Sequence, residues 1–294
     1  MHRLGSLVFL LLSSSSSFAT FLPDNDLWKQ DRLVGYDQTT MTEVEFNKVI
    51  DRVYDVFESS VKLHGGTLVV SRDWKNSTVN AYSNQSEKTW KVAMFGGLAR
   101  RPEINADGFT IVMCHEMGHH LGGYPYATLI GSWAASEGQA DYFATDVCAR
   151  RVWVGDQVEN SKFRYDVELE VKNKCDAVWK GADDQNLCYR INAASKNLGR
   201  LLAYLGKKTA PQFSTPDKSI VHSTLHRYPS AQCRLDTYLR GSLCAMTADL
   251  NEVPGRKYFY QNGPRAEMES LRSYCSKGNQ PEGARPECWF RSKL

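Results

Sequence analysis

The sequence predicts an α+β fold: one long helix, a small mixed sheet, then a mostly helical C-terminal part. Three observations carry this. Thr42-x-x-Glu45 forms a capping box, and Phe46, Val49, Val53, Val56 or Phe57, and Val61 follow it at helical spacing. Short apolar runs broken by polar turns occupy residues 67–98. Beyond Asp107 the apolar residues recur mainly at helical spacing.

In chain order, residues 20–40 read as an entry loop, and the helix opened by Thr42 ends at His64-Gly65-Gly66, with His64 as its C-terminal cap. Residues 67–70 and 79–82 read as short strands around the polar turn Trp74-Lys75-Asn76-Ser77. A third strand covers Trp90 to Leu98, apolar and interrupted by Gly96-Gly97. Asp107 is the expected N-cap of the next helix, which Gly122-Gly123 closes. Further helices are expected over 133–152 and near 166–180, 186–206 and 230–240, before a Pro-, Gly- and Cys-rich tail from about Val253.

Residues 1–19 read as a secretory signal. Arg3 supplies positive charge, Leu4 to Leu12 a short apolar run, and Ser17-Phe18-Ala19 a small-residue cleavage site. The exported chain is then expected to start near Thr20, with one main domain over 20–252 and a Cys-containing extension over 253–294 packed on it. No later segment reaches the length of a membrane-spanning helix, so no integral membrane segment is expected after cleavage. The compartment is periplasmic or extracellular. Lys plus Arg exceed Asp plus Glu by only 3, without a block of like charge, which argues against a nucleic-acid partner.

The 8 cysteines are an even number without a CxxC pair, the pattern of disulfides in an exported chain and not of a Cys-rich zinc knuckle. Cys114 is expected to be a buried thiol or to pair with Cys148. The other six fall into the sequential pairs 175/188, 233/244 and 275/288, each closing a short loop.

The motif that carries chemistry is His115-Glu116-Met117-Gly118-His119. Two His four apart on a helix leave the same face one turn apart, close enough to share one Zn²⁺, and the intervening Glu can reach a water. After Gly122, a third His at position 125 would complete one known zinc pattern, but that position is Pro125. Eighteen residues beyond His119 comes Ser136-Glu137-Gly138-Gln139-Ala140-Asp141, where Glu137 and Asp141 share a helix face. One carboxylate can bind the metal while the next accepts from a ligating His and fixes its tautomer. His120 points off that face and reads as structural. His222 reads as a helix-entry or loop residue.

The E-x-x-x-D word after H-E-x-x-H resembles the gluzincin peptidases, with a spacing similar to that of thermolysin. Its wording is closer to the superfamily of HtpX and the CAAX-prenyl endoproteases. Asn80-Ala81-Tyr82 with the later Gly96-Gly97-Leu98, and Ser223-Thr224-Leu225-His226-Arg227-Tyr228-Pro229-Ser230 with Arg234, are similar to further segments of that superfamily. The resemblance spans roughly residues 42–240. It departs in lacking membrane spans, in a short gap to Glu137, and in extra residues between His226 and Pro229.

The resemblance implies a zincin-like domain and a zinc endopeptidase acting on protein or peptide substrates, with one Zn²⁺ per chain. His115, His119 and Glu137 are then ligands, Asp141 supports a ligand, and Glu116 is the general base. The second electrophile is expected to be His226, with Tyr228 as the next choice and Arg234 orienting that loop. Met94-Phe95-Gly96 is the expected exposed edge that takes up substrate as an added strand. Two alternatives use the same residues differently. One is a zinc hydrolase of a non-protein amide such as a peptidoglycan cross-link. The other is an idle binding or assembly factor, against which the intact Glu116 speaks.

Overall fold

The computed structural model describes residues 19–30, 41–127, 133–258 and 262–294; of the predicted leader over 1–19, all but Ala19 lies outside them. The elements are β1 (Ala19–Thr20), α1 (Leu27–Gln30), α2 (Glu43–Leu63), β2 (Thr67–Asp73), β3 (Ala81–Ser86), β4 (Thr89–Phe95), α3 (Gly96–Ala99) and α4 (Ala106–Leu121). Then come α5 (Glu137–Phe143), continued through a π-helical segment (Ala144–Cys148) into α6 (Ala149–Trp153), and α7 (Gln157–Ser161). The chain closes with α8 (Leu169–Val178), α9 (Ala182–Leu205), α10 (Ala231–Ser242) and α11 (Pro264–Ser270). This is the α+β order.

α2 starts where its capping box stands: Thr42 accepts from the Glu45 backbone, and the Glu45 carboxylate accepts from the Thr42 N–H at 2.8 Å. His64 is its C-cap. The apolar stripe Phe46, Ile50, Val53, Phe57 and Val61 is fully buried, in one core with Val92 and Met94 of β4 and Phe109, Val112 and Met113 of α4. Each such side chain contributes about 1.5–3 kcal/mol by leaving water. No helix among the described residues is long and apolar enough to cross a membrane.

The sheet order is β1-β3-β4-β2, with β2 parallel to β4 and the other neighbours antiparallel. This corrects the expected substrate edge. Met94 lies in β4 between Ala81 of β3 and Arg72 of β2, Phe95 pairs with Asp73 of β2, and Gly96 opens α3. Val92, Ala93 and Met94 are all buried, the composition of a strand covered on both faces. Among the described strands the sheet ends on β1, laid on β3, and on β2 at the other side.

A second correction concerns the start of α4. Asn105 is the N-cap, its Oδ1 accepting from the Gly108 N–H at 2.9 Å. Asp107 stands in the first turn, where the Arg190 fork of α9 takes both its oxygens at 2.7 and 2.9 Å.

The disulfides are Cys114–Cys148, Cys175–Cys188, Cys233–Cys288 and Cys244–Cys275. The expected 233/244 and 275/288 pairs are replaced by two bridges that tie the tail to the two ends of α10. Cys233 and Cys244 bracket a helix at about 1.5 Å rise per residue, which holds them roughly 16 Å apart, beyond the reach of one bridge. Four buried bridges fit an oxidising, exported environment.

Candidate metal centre

α4 is buried on every side from Gly108 to Leu121, so His115, Glu116 and His119 stand in the middle of the molecule. Gly118 lets α5 approach: a Cβ there would fall 2.8 Å from Ala140 Cα and O. A second glycine, Gly138, lies under Trp289 of the tail, where a Cβ would meet the indole at 2.3 Å. These close contacts seat the first turn of α5, and with it Glu137, over the two His.

His115 Nε2 and His119 Nε2 face each other at 3.1 Å. Glu137 Oε2 lies 3.4 Å from His115 Nε2, and Oε1 lies 3.8 Å from His119 Nε2. All three ligand atoms fall within 4.8 Å of one another, and all three residues are buried. Each imidazole is oriented by its other nitrogen: His115 Nδ1 pairs with Asp141 Oδ1 at 2.7 Å, and His119 Nδ1 with the Ala135 carbonyl at 2.9 Å. That leaves both Nε2 atoms for a metal, the arrangement zinc ligands require.

Asp141 is the hub behind the site. It takes the Arg234 fork at 2.7 Å on each oxygen, and the Tyr238 hydroxyl at 2.7 Å, besides His115. Burial alone would raise its pKa, but Arg234 and His115 pull it down to about 2. Burial would likewise lower His115, yet Asp141 and Glu137 overcome this and raise it to about 9. His119 goes well below its ordinary value, through burial and the charge of His115.

Glu116 lies outside the ligand cluster. Its Oε2 accepts from Ser83 Oγ of β3 at 2.7 Å, while Oε1 is buried without a hydrogen-bond partner. Burial, only partly offset by His115 and Ser83, pushes its pKa up to about 8. Glu137 Oε2 is also buried without a hydrogen bond. Orphaned buried carboxylate oxygens beside two convergent imidazole nitrogens fit a missing divalent cation, and an N₂O set fits zinc.

The other sequence-predicted residues divide. Tyr228 stands close enough to Glu137 and Glu116 that, after burial, their charges raise its pKa. His226 is half-buried, hydrogen-bonded to the Tyr126 backbone, and the charge acting on it is that of Lys293. Of the two, Tyr228 is the one that feels the charges of Glu137 and Glu116. Arg234 holds Asp141 and does not merely orient a loop. His120 is structural, stacked between Trp90 and Trp133 at ring separations of 5.4 and 4.8 Å. Ser83 and Tyr238 carry no sequence signal, because their partners lie 33 and 97 residues away.

No family model, curated protein or solved structure matches the chain. A second cluster, Asp217 with Cys233 and Cys288, also brings three donors together, but its two sulfurs are spent in a disulfide.

Proposed function

We propose that the chain is a zinc-dependent endopeptidase. The observation that carries this reading is the buried Glu116 standing next to the His115–His119–Glu137 donors without belonging to them. A metal with a purely structural task needs no such neighbour. When bound, Zn²⁺ would act as a Lewis acid that acidifies water and polarises a carbonyl.

The residues around it divide the remaining work. Ser83 holds one oxygen of Glu116, and the other is free to take a proton from water and pass it to the leaving amine. The phenol of Tyr228 supplies a hydrogen bond to the oxyanion as it forms. Asp141, clamped by Arg234 and Tyr238, keeps His115 in one orientation throughout.

Zinc content and casein hydrolysis of the native chain and of Glu116→Gln test the reading. One zinc in both, with hydrolysis only by the native chain, is the expected result; no zinc in either sinks the site. Tyr228→Phe should keep the metal and lose about 10²-fold in kcat. His226→Ala should leave kcat within about threefold, as expected for a residue with no bond to the reacting groups.

A further inference from the structure

Residues 20–22 enter the fold as a stretch of extended peptide whose backbone is held by side chains of the site. The Phe21 N–H donates to the Ala81 carbonyl of β3 at 3.1 Å. Asn80 grips Leu22 at both ends, Oδ1 accepting from its N–H and Nδ2 donating to its carbonyl, each at 2.9 Å. Arg234, besides its fork on Asp141, gives Nη1 to the Phe21 carbonyl at 2.9 Å. The Tyr228 hydroxyl donates to the Thr20 carbonyl at 2.8 Å, reaches the Leu22 carbonyl at 3.2 Å, and touches Thr20 Oγ1. Such contacts to N–H and C=O groups would hold a peptide of almost any sequence.

The segment also reaches the chemistry. The Phe21 ring meets the His115 ring edge-on at 5.2 Å. Ala19 pairs in register with Ser83, the residue that holds Glu116. Phe21 and Leu22 are fully buried, whereas Pro23, Asp24 and Asp26 are exposed. A tightly seated tripeptide is thus joined to the body by a surface loop.

We propose that the groove between β3, Tyr228 and Arg234 is a binding cleft for extended peptides, and that Thr20–Phe21–Leu22 is its built-in occupant. The fitting ligand is a peptide with a small polar, an aromatic and an aliphatic residue in succession, added antiparallel to β3. The segment competes with other peptides for the cleft and holds its occupancy by them low until it is displaced or the 23–26 loop is cut. What the opened cleft does with a peptide rests on the endopeptidase reading; the binding itself does not.

The test replaces Pro23–Asp26 in the full chain with a site for a sequence-specific protease and uses metal-free protein. A fluorescent peptide, Thr-Phe-Leu-Pro-Asp-Asn, is titrated into cut and uncut chain by anisotropy. A tethered segment competes at an effective concentration of about millimolar, so cutting should tighten apparent binding at least about tenfold. Asn80→Ala in the cut chain should undo most of that gain. Equal binding to both forms, or none to either, overturns the proposal. A check without any substitution is amide exchange in the native chain: saturating peptide should speed exchange at Phe21 and Leu22, and unchanged protection also overturns it. With zinc restored, casein hydrolysis should rise on cutting. Peptide binding gained on cutting without hydrolysis would leave the cleft standing and remove the endopeptidase reading.

Discussion

Asp141 and Asp146 lie five residues apart on one continuous helical run, both essentially out of water, and they behave as opposites. Asp141 is bonded to Arg234, His115 and Tyr238, and its pKa falls to about 2. Asp146, inside the π-helical segment, has no hydrogen bond to either oxygen. Its burial raises the pKa well above the ordinary value, although Arg150, Arg285 and Arg151 pull the other way. Burial therefore does not decide the charge of a carboxyl; bonded partners do. A bonded carboxylate orients His115 at the first position, and an acid without hydrogen bonds, its pKa pushed up by burial, sits in the packing at the second.

The largest effect that would break this contrast is in stability. Asp141→Ala leaves Arg234 buried without its counter-charge and should cost roughly 3–5 kcal/mol in denaturant unfolding, together with zinc affinity. If it unfolds the chain no more than Asp146→Asn does, the contrast fails.

The pH dependence sharpens the contrast. Asp141 titrates lower in the folded chain than its ordinary 3.8, so its contribution is present above that value and lost as pH falls toward about 2. Asp146 has the opposite sign: its contribution is present below 3.8 and lost as pH rises through its folded pKa. Urea midpoints across acid and neutral pH should show Asp141→Ala removing the acid limb. Asp146→Asn should instead gain on the native chain as pH rises.

A smaller effect is in proton release. His115, held charged by Asp141 and Glu137 with a pKa of about 9, must give up its proton to bind a metal. Calorimetric zinc titrations in buffers of different ionisation enthalpy at about pH 7.5 should report at least about one proton released. No release would mean that Asp141 does not hold His115 as proposed. The smallest expected effect is Asp146→Asn at neutral pH, within about 1 kcal/mol, since an amide replaces an acid of the same shape whose charged form burial disfavours.

What the sequence determined was local. The Thr42–Glu45 capping box, the His64 cap, the two His one turn apart, and Glu137 four residues from Asp141 all follow from helix geometry over a few residues. The type and order of the elements follow for the same reason, since amphipathic periodicity is written along the chain. The tertiary structure alone decided which strands end the sheet, because a run such as Val92-Ala93-Met94 reads alike at an edge and at the centre of a sheet. It also decided that Cys233 pairs with Cys288, that Ser83 holds Glu116, that Tyr228 and not His226 feels the charges of Glu137 and Glu116, and that Phe21 lies against His115. Those contacts join residues separated by tens of positions to just over a hundred. No local periodicity records such a meeting; it is set by how the faces of separate elements pack once each has formed.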